Sequence, residues 1–101
     1  MDYDERTEKN VVDSDATLIV ARKKELFGGT ALTKDLAGRY GRPVLVVCER
    51  EGVSPGAVAL SEFLKQNYVR TLNVAGPRES QAPGIGKFVE QLLEAALKTL
   101  R

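Results

Sequence analysis

The chain has no histidine, no tryptophan and a single cysteine, Cys48. Without histidine there is no imidazole to activate a serine or cysteine nucleophile and no His-rich zinc site. One thiol builds neither an internal disulfide framework nor a thiolate metal cluster, and at the end of an apolar run it suits a small buried hydrophobe in a reducing compartment. An excess of charge of one sign is missing too: 15 Lys plus Arg oppose 14 Asp plus Glu, a net +1. No general field therefore draws the chain to nucleic acid or to an acidic membrane surface, and any positive field has to be local. No apolar run approaches the roughly 20 residues of a membrane span, and the N-terminus is acidic and polar rather than basic then apolar. No signal peptide or anchor is expected, and the expected location is the cytoplasm.

What is present reads as one small α/β domain over residues 1–101. A chain of this length buries about 60–70% of its unfolded surface, which gives an adequate but modest core. The central stretch is Asp15 to Thr33: an apolar run, a basic loop, a Gly-Gly-Thr turn and a helix start. Ala16 to Ala21 is too short for a helix and rich in aliphatic residues, as a strand covered on both faces of a parallel sheet would be. Before it, Tyr3 to Ser14 is charged and free of Gly and Pro; a helix there carries Tyr3, Thr7, Asn10, Val11 and Ser14 on one stripe, with Arg6 beside Asn10. This face is either a solvated edge or one that brings Arg6 and Asn10 to a polar cleft. Asp13 and Asp15 read as turn formers rather than a Mg²⁺ pair.

After the strand come Arg22, Lys23 and Lys24, then Gly28 and Gly29, which let backbone amides approach a ligand, and Thr30, a candidate cap. The second helix is expected over Ala31 to Tyr40, with Gly41 as its stop. Pro43 opens a second apolar strand, Val44 to Cys48. Ser54-Pro55 gives an N-cap and first-turn proline for a third helix with Ala57, Leu60, Phe63 and Leu64 inward, ending near Asn67. Arg70 to Ala75 is a third, more polar strand, expected at an edge. After the loop Gly76 to Pro83, a last helix starting at Pro83 carries Ile85, Phe88, Val89, Leu92, Leu93, Ala96, Leu97 and Leu100 in the cleanest amphipathic stripe of the chain.

The order αβαβαβα predicts a three-strand parallel sheet with helices packed on it. In open α/β sheets ligands sit outside the carboxyl ends of the strands, which gathers Arg22, Lys23, Gly28, Gly29, Thr30, Gly76, Arg78 and Ser80 at one mouth. A helix N-terminus there favours an anion, because unpaired N–H groups and the positive end of the dipole face it. Each residue has a plain structural reading as turn former or solvated charge; their convergence is the functional signal.

Several motifs carry a family resemblance. Arg6-Thr7-Glu8-Lys9-Asn10-Val11, Asp13-Ser14-Asp15-Ala16-Thr17-Leu18-Ile19, Gly28-Gly29-Thr30-Ala31-Leu32-Thr33, Gly41-Arg42-Pro43 and Asn73-Val74-Ala75-Gly76-Pro77-Arg78-Glu79-Ser80 resemble the bacterial molybdenum cofactor carrier proteins. These are Rossmann-like and related to the lysine-decarboxylase-like phosphoribohydrolases. The resemblance implies a small Rossmann-like three-layer fold and a phosphorylated ligand, nucleotide-like or pterin-like, at the Gly-Gly-Thr turn that runs on to Thr33. The implied cofactor is the molybdenum cofactor or a nucleotide. The match covers only the C-terminal portion of the family pattern: its first βα unit, with a Gly-Gly-Gln-Thr-Gly turn, has no counterpart. The phosphoribohydrolase motif is altered as well, with Ala31 and Leu32 in place of Gly-Thr and Asp35 at the Glu position, which argues against hydrolysis by that route.

No catalytic residue and no metal site is assigned; Asp13, Asp15, Asp35 and Glu79 read as solvated or capping carboxylates. Two functions remain: a binding or carrier module for a phosphorylated small molecule, or a non-catalytic interaction or regulatory domain that has lost the ligand site. The resemblance also implies that the missing strand would lie beside Ala16 to Ala21. That would make this apolar strand an edge, and predicts a two-fold homodimer through it.

Overall fold

The computed structural model describes residues 2–23, 26 and 28–100. Lys24 and the side chain of Tyr3, both part of the sequence reading, lie outside the described residues. Four helices and three strands alternate: α1 (Asp2–Val12), β1 (Ala16–Ala21), α2 (Gly28–Arg39), β2 (Val44–Cys48), a 3-10 turn (Glu49–Glu51), α3 (Val53–Gln66), β3 (Leu72–Ala75) and α4 (Ile85–Leu100). The strands form one parallel sheet in the order β2-β1-β3. The α/β class, the parallel sheet and the polar third strand at an edge are as the sequence predicts.

The sheet order corrects one expectation. β1 is the central strand, with Leu18 in register with Leu45 on one side and Val74 on the other. All six of its residues are buried. Its backbone is therefore not an open edge, and a dimer built on unpaired N–H and C=O groups of Ala16–Ala21 has no basis.

Topology explains why the helices cover both faces. The chain leaves β1 for β2 on one side, then crosses back over β1 to reach β3. Two crossovers of the same hand in opposite directions put α2 and α3 on opposite faces of the sheet. On one face, Leu18, Val20 and Val47 pack with Ala57 and Leu60 of α3 and with Ile85, Phe88, Leu92 and Ala96 of α4. On the other, Val11 of α1 packs with Leu36 and Ala37 of α2. The larger cluster demands a close approach at Gly56: a Cβ there would lie 2.8 Å from Val47 Cγ1 and 2.9 Å from Leu92 Cδ1.

Helix ends differ from the expected bounds. α1 stops at Val12, and the Ser14 hydroxyl donates to the Asn10 carbonyl at 2.7 Å. α2 already includes Gly28 and Gly29, so Thr30 stands inside its first turn. α3 begins at Val53 after Gly52, whose φ of 91° suits glycine, so Ser54 and Pro55 fall inside its first turn. α4 begins at Ile85, two residues after Pro83.

Candidate functional site

The exits of all three strands open on the same side of the sheet. Arg22 and Lys23 follow β1, Glu49 and Arg50 follow β2, and Gly76 follows β3. Arg22, Lys23, Glu49 and Arg50 line a shallow depression of about 290 Å³. Arg22 bridges the three exits: its guanidinium donates to the Pro83 carbonyl in the loop before α4, and lies 3.6 Å from the Glu49 carboxylate. Lys23 and Arg50 are exposed. The lining of this depression is three cations and one carboxylate, in a chain whose overall charge is near balance. Arg50 is not among the residues that the sequence reading gathers at the mouth, although the rule for strand exits applies to the second strand as much as to the first.

The third exit is set by contact with the central strand. A Cβ on Gly76 would lie 2.9 Å from the Val20 carbonyl oxygen, so the turn after β3 passes against β1 at a distance only glycine allows. The chain then folds into a self-bonded loop. The Arg78 carbonyl accepts from the amides of Gln81 and Ala82 at 2.9 and 3.0 Å, while the Arg78 and Ser80 residues remain exposed.

Two helix N-termini flank this mouth, and they are treated differently. At α4 the Glu79 carboxylate accepts from the amides of Gly84 and Gly86, at 2.5 and 3.0 Å. The Gly84 bond, then the Gly86 bond, hold the Glu79 pKa below the ordinary Glu range. Its role is that of a fixed internal anion at the positive end of the helix. The first turn of α2 has no acidic residue. Gly28 and Gly29 are exposed there, and nothing lies within 4 Å of where either Cβ would be.

The remaining sequence candidates lie elsewhere. Thr33 is 4% exposed and its hydroxyl donates to the Gly29 carbonyl at 2.7 Å, so it braces the first turn of α2 from inside. Asn10 sits by Ser14, at the amino end of β1 and away from the mouth. Arg6 is one turn earlier on α1, about 6 Å along the axis, and exposed. Asp15 also belongs to the amino end: its carboxylate accepts from the Arg70 and Thr71 amides at 2.8 and 2.9 Å. Bonding to Thr71, then Arg70, lowers its pKa below the ordinary Asp range. Among the described residues no group of three or more His, Cys, Asp or Glu could hold a metal ion, and no helix is long and apolar enough to cross a membrane.

Comparison with known proteins bears on the fold and the family. The sequence pattern of the circularly permutated YpsA SLOG family matches residues 1–97. A crystal structure described as "putative molybdenum carrier protein" from Syntrophus aciditrophicus superposes with a TM-score of 0.90 at 39% identity. The superposition covers 95% of this chain and 61% of that one, so the chain spans less than two thirds of its relative's length. No protein of curated function matches.

Proposed function

Since the chain belongs to the circularly permutated YpsA SLOG family, we propose that it is a binding or carrier module for a phosphorylated small molecule, nucleotide-like or molybdopterin-like, held at the carboxyl edge of its sheet. The observation that carries this reading is the asymmetry between the two helix N-termini. α4 is supplied with its own carboxylate by Glu79, whereas the first turn of α2, with Gly28, Gly29 and Thr30, holds no acidic residue; Arg22, Lys23 and Arg50 line the depression at the exits of β1 and β2. An oxyanion at α2 would meet backbone amides and the helix dipole. Arg78, exposed on the loop after β3, would add a bidentate contact. The solved relative's description as a molybdenum carrier supports a carried ligand. In a molybdopterin-like ligand, molybdenum would travel as part of an anionic group.

The test is a thermal-shift series with AMP, ATP, inorganic phosphate, molybdate and a pterin phosphate, repeated on Gly29→Val. A ligand at one hundred times its Kd adds about 2.7 kcal/mol, on the order of 10 °C for a domain this small. The substitution has steric room in the free protein and is expected to abolish the response without lowering the unliganded Tm by more than a few degrees. Equal response in parent and variant would remove α2 from the site. If none of the ligands raises the Tm, the alternative gains: an interaction domain, consistent with Glu49 partly neutralising the mouth.

A further inference from the structure

Ala21 and Cys48 are in register at the ends of β1 and β2. The chain therefore leaves the two strands side by side, with Arg22 and Lys23 following one and Glu49 and Arg50 the other. Together these four residues line the depression of about 290 Å³, close to the lower end of the roughly 300–1,000 Å³ of small-molecule sites. They are not equivalent. Lys23 and Arg50 are exposed, and among the described residues neither is in an ion pair. Glu49 is half-buried, its side chain 23% exposed. Its backbone is fixed by the 3-10 turn, where its carbonyl accepts from the Gly52 amide at 3.0 Å.

Neutralising Arg22 does not use up this carboxylate. Arg22 already donates to the Pro83 carbonyl, and its 3.6 Å approach to Glu49 is longer than a hydrogen bond. The carboxylates that brace the loops are bound differently, since Asp15 and Glu79 each accept from two backbone amides. Glu49 thus keeps acceptor capacity at the depression it lines. A bare oxyanion there is attracted by three cations and repelled by Glu49. A phosphate ester whose organic part carries hydroxyl or ring N–H groups gains from both, because a donor to an ionised carboxylate makes a charge-assisted bond. Resting on the carrier reading above, we propose that Glu49 is the acceptor that selects the ligand: the phosphate faces Lys23 and Arg50, and donors on the organic part bond to the Glu49 carboxylate. The mouth then discriminates a nucleoside or pterin phosphate from a phosphate without such donors.

The test is a calorimetric titration of the parent and Glu49→Gln with AMP, 2′,3′-dideoxy-AMP, a pterin phosphate and phenyl phosphate, the last having no donor outside its phosphate. Glu49→Gln is expected to weaken AMP or the pterin phosphate about tenfold, while phenyl phosphate binds as before or more tightly. Within that result, 2′,3′-dideoxy-AMP behaves like phenyl phosphate if the ribose supplies the donors and like AMP if the base does. Glu49→Asp keeps the charge but shortens its reach, and is expected to lose the same preference should Gln disturb the turn. Tighter binding of all four phosphates by Glu49→Gln would overturn the proposal and leave Glu49 as a partial neutraliser of the mouth. Equal affinities in parent and variants would overturn it too. In both cases the anion site survives, whereas a parent chain that binds none of the four removes the carrier reading and the proposal together.

Discussion

The two ends of the sheet handle their polar groups in opposite ways. At the amino end, side chains are bound into the fold: Asp15 holds the amides of Arg70 and Thr71, Ser14 reaches the Asn10 carbonyl, and Arg42 donates to the Val12 carbonyl at 2.9 Å. This closure carries a cost, since Arg42 Nε is buried without a partner. At the carboxyl end Lys23, Arg50, Arg78 and Ser80 face solvent, while Arg22, Glu49 and Glu79 tie the loops together. The contrast separates residues that hold strands together from residues left available to a ligand, although both sets are polar and lie in loops.

Substitutions can break or sharpen that contrast. The largest effect is expected at Gly76→Val, where the open end is tightly packed. Its Cβ would press on the Val20 carbonyl, part of the backbone of the central strand, at a cost of about 1–3 kcal/mol in urea unfolding. A neutral result would mean that the loop after β3 is free to lift away from β1.

Asp15→Asn should come next and tests the closed end. The folded pKa of Asp15 is depressed, so its contribution is present above the unfolded pKa and is lost as pH falls through the folded value. The variant should melt several degrees below the parent at pH 7. That gap should shrink as the pH drops below about 4, where carboxylates protonate. A gap independent of pH would remove the ionised carboxylate as its cause.

The smallest effect on stability is expected from Lys23→Ala and Arg50→Ala, each within about 0.5 kcal/mol of the parent. Their consequence belongs to binding: for any anion that raises the Tm of the parent, each should reduce that shift. Clear destabilisation with an unchanged anion response would return both residues to the fold.

Much of this architecture is legible in the residues. Ala16–Ala21 and Val44–Cys48 have the bounds their apolar runs imply, because a short aliphatic run between turn formers has few other stable conformations. The gathering of Arg22, Lys23, Gly28 and Gly76 at strand exits also follows from chain order and the geometry of parallel sheets. Helix starts were less legible: Gly28-Gly29 tolerates both turn and helix, and only the packed chain decides that α2 begins there. The capping role of Glu79 is likewise hidden, since the carboxylate meets amides five and seven residues away only after the loop has closed on itself.

What the sequence determined by itself is that β1 is covered above and below, since every side chain in Ala16–Ala21 is apolar or small. Whether its two hydrogen-bonding edges are also filled is written in no side chain, because those groups belong to the backbone and are alike in every strand. The tertiary structure decided it: α2 and α3, packed on opposite faces, carry the chain first to one side of β1 and then to the other. That placement puts β1 in the middle, with β2 and β3 on either side of it.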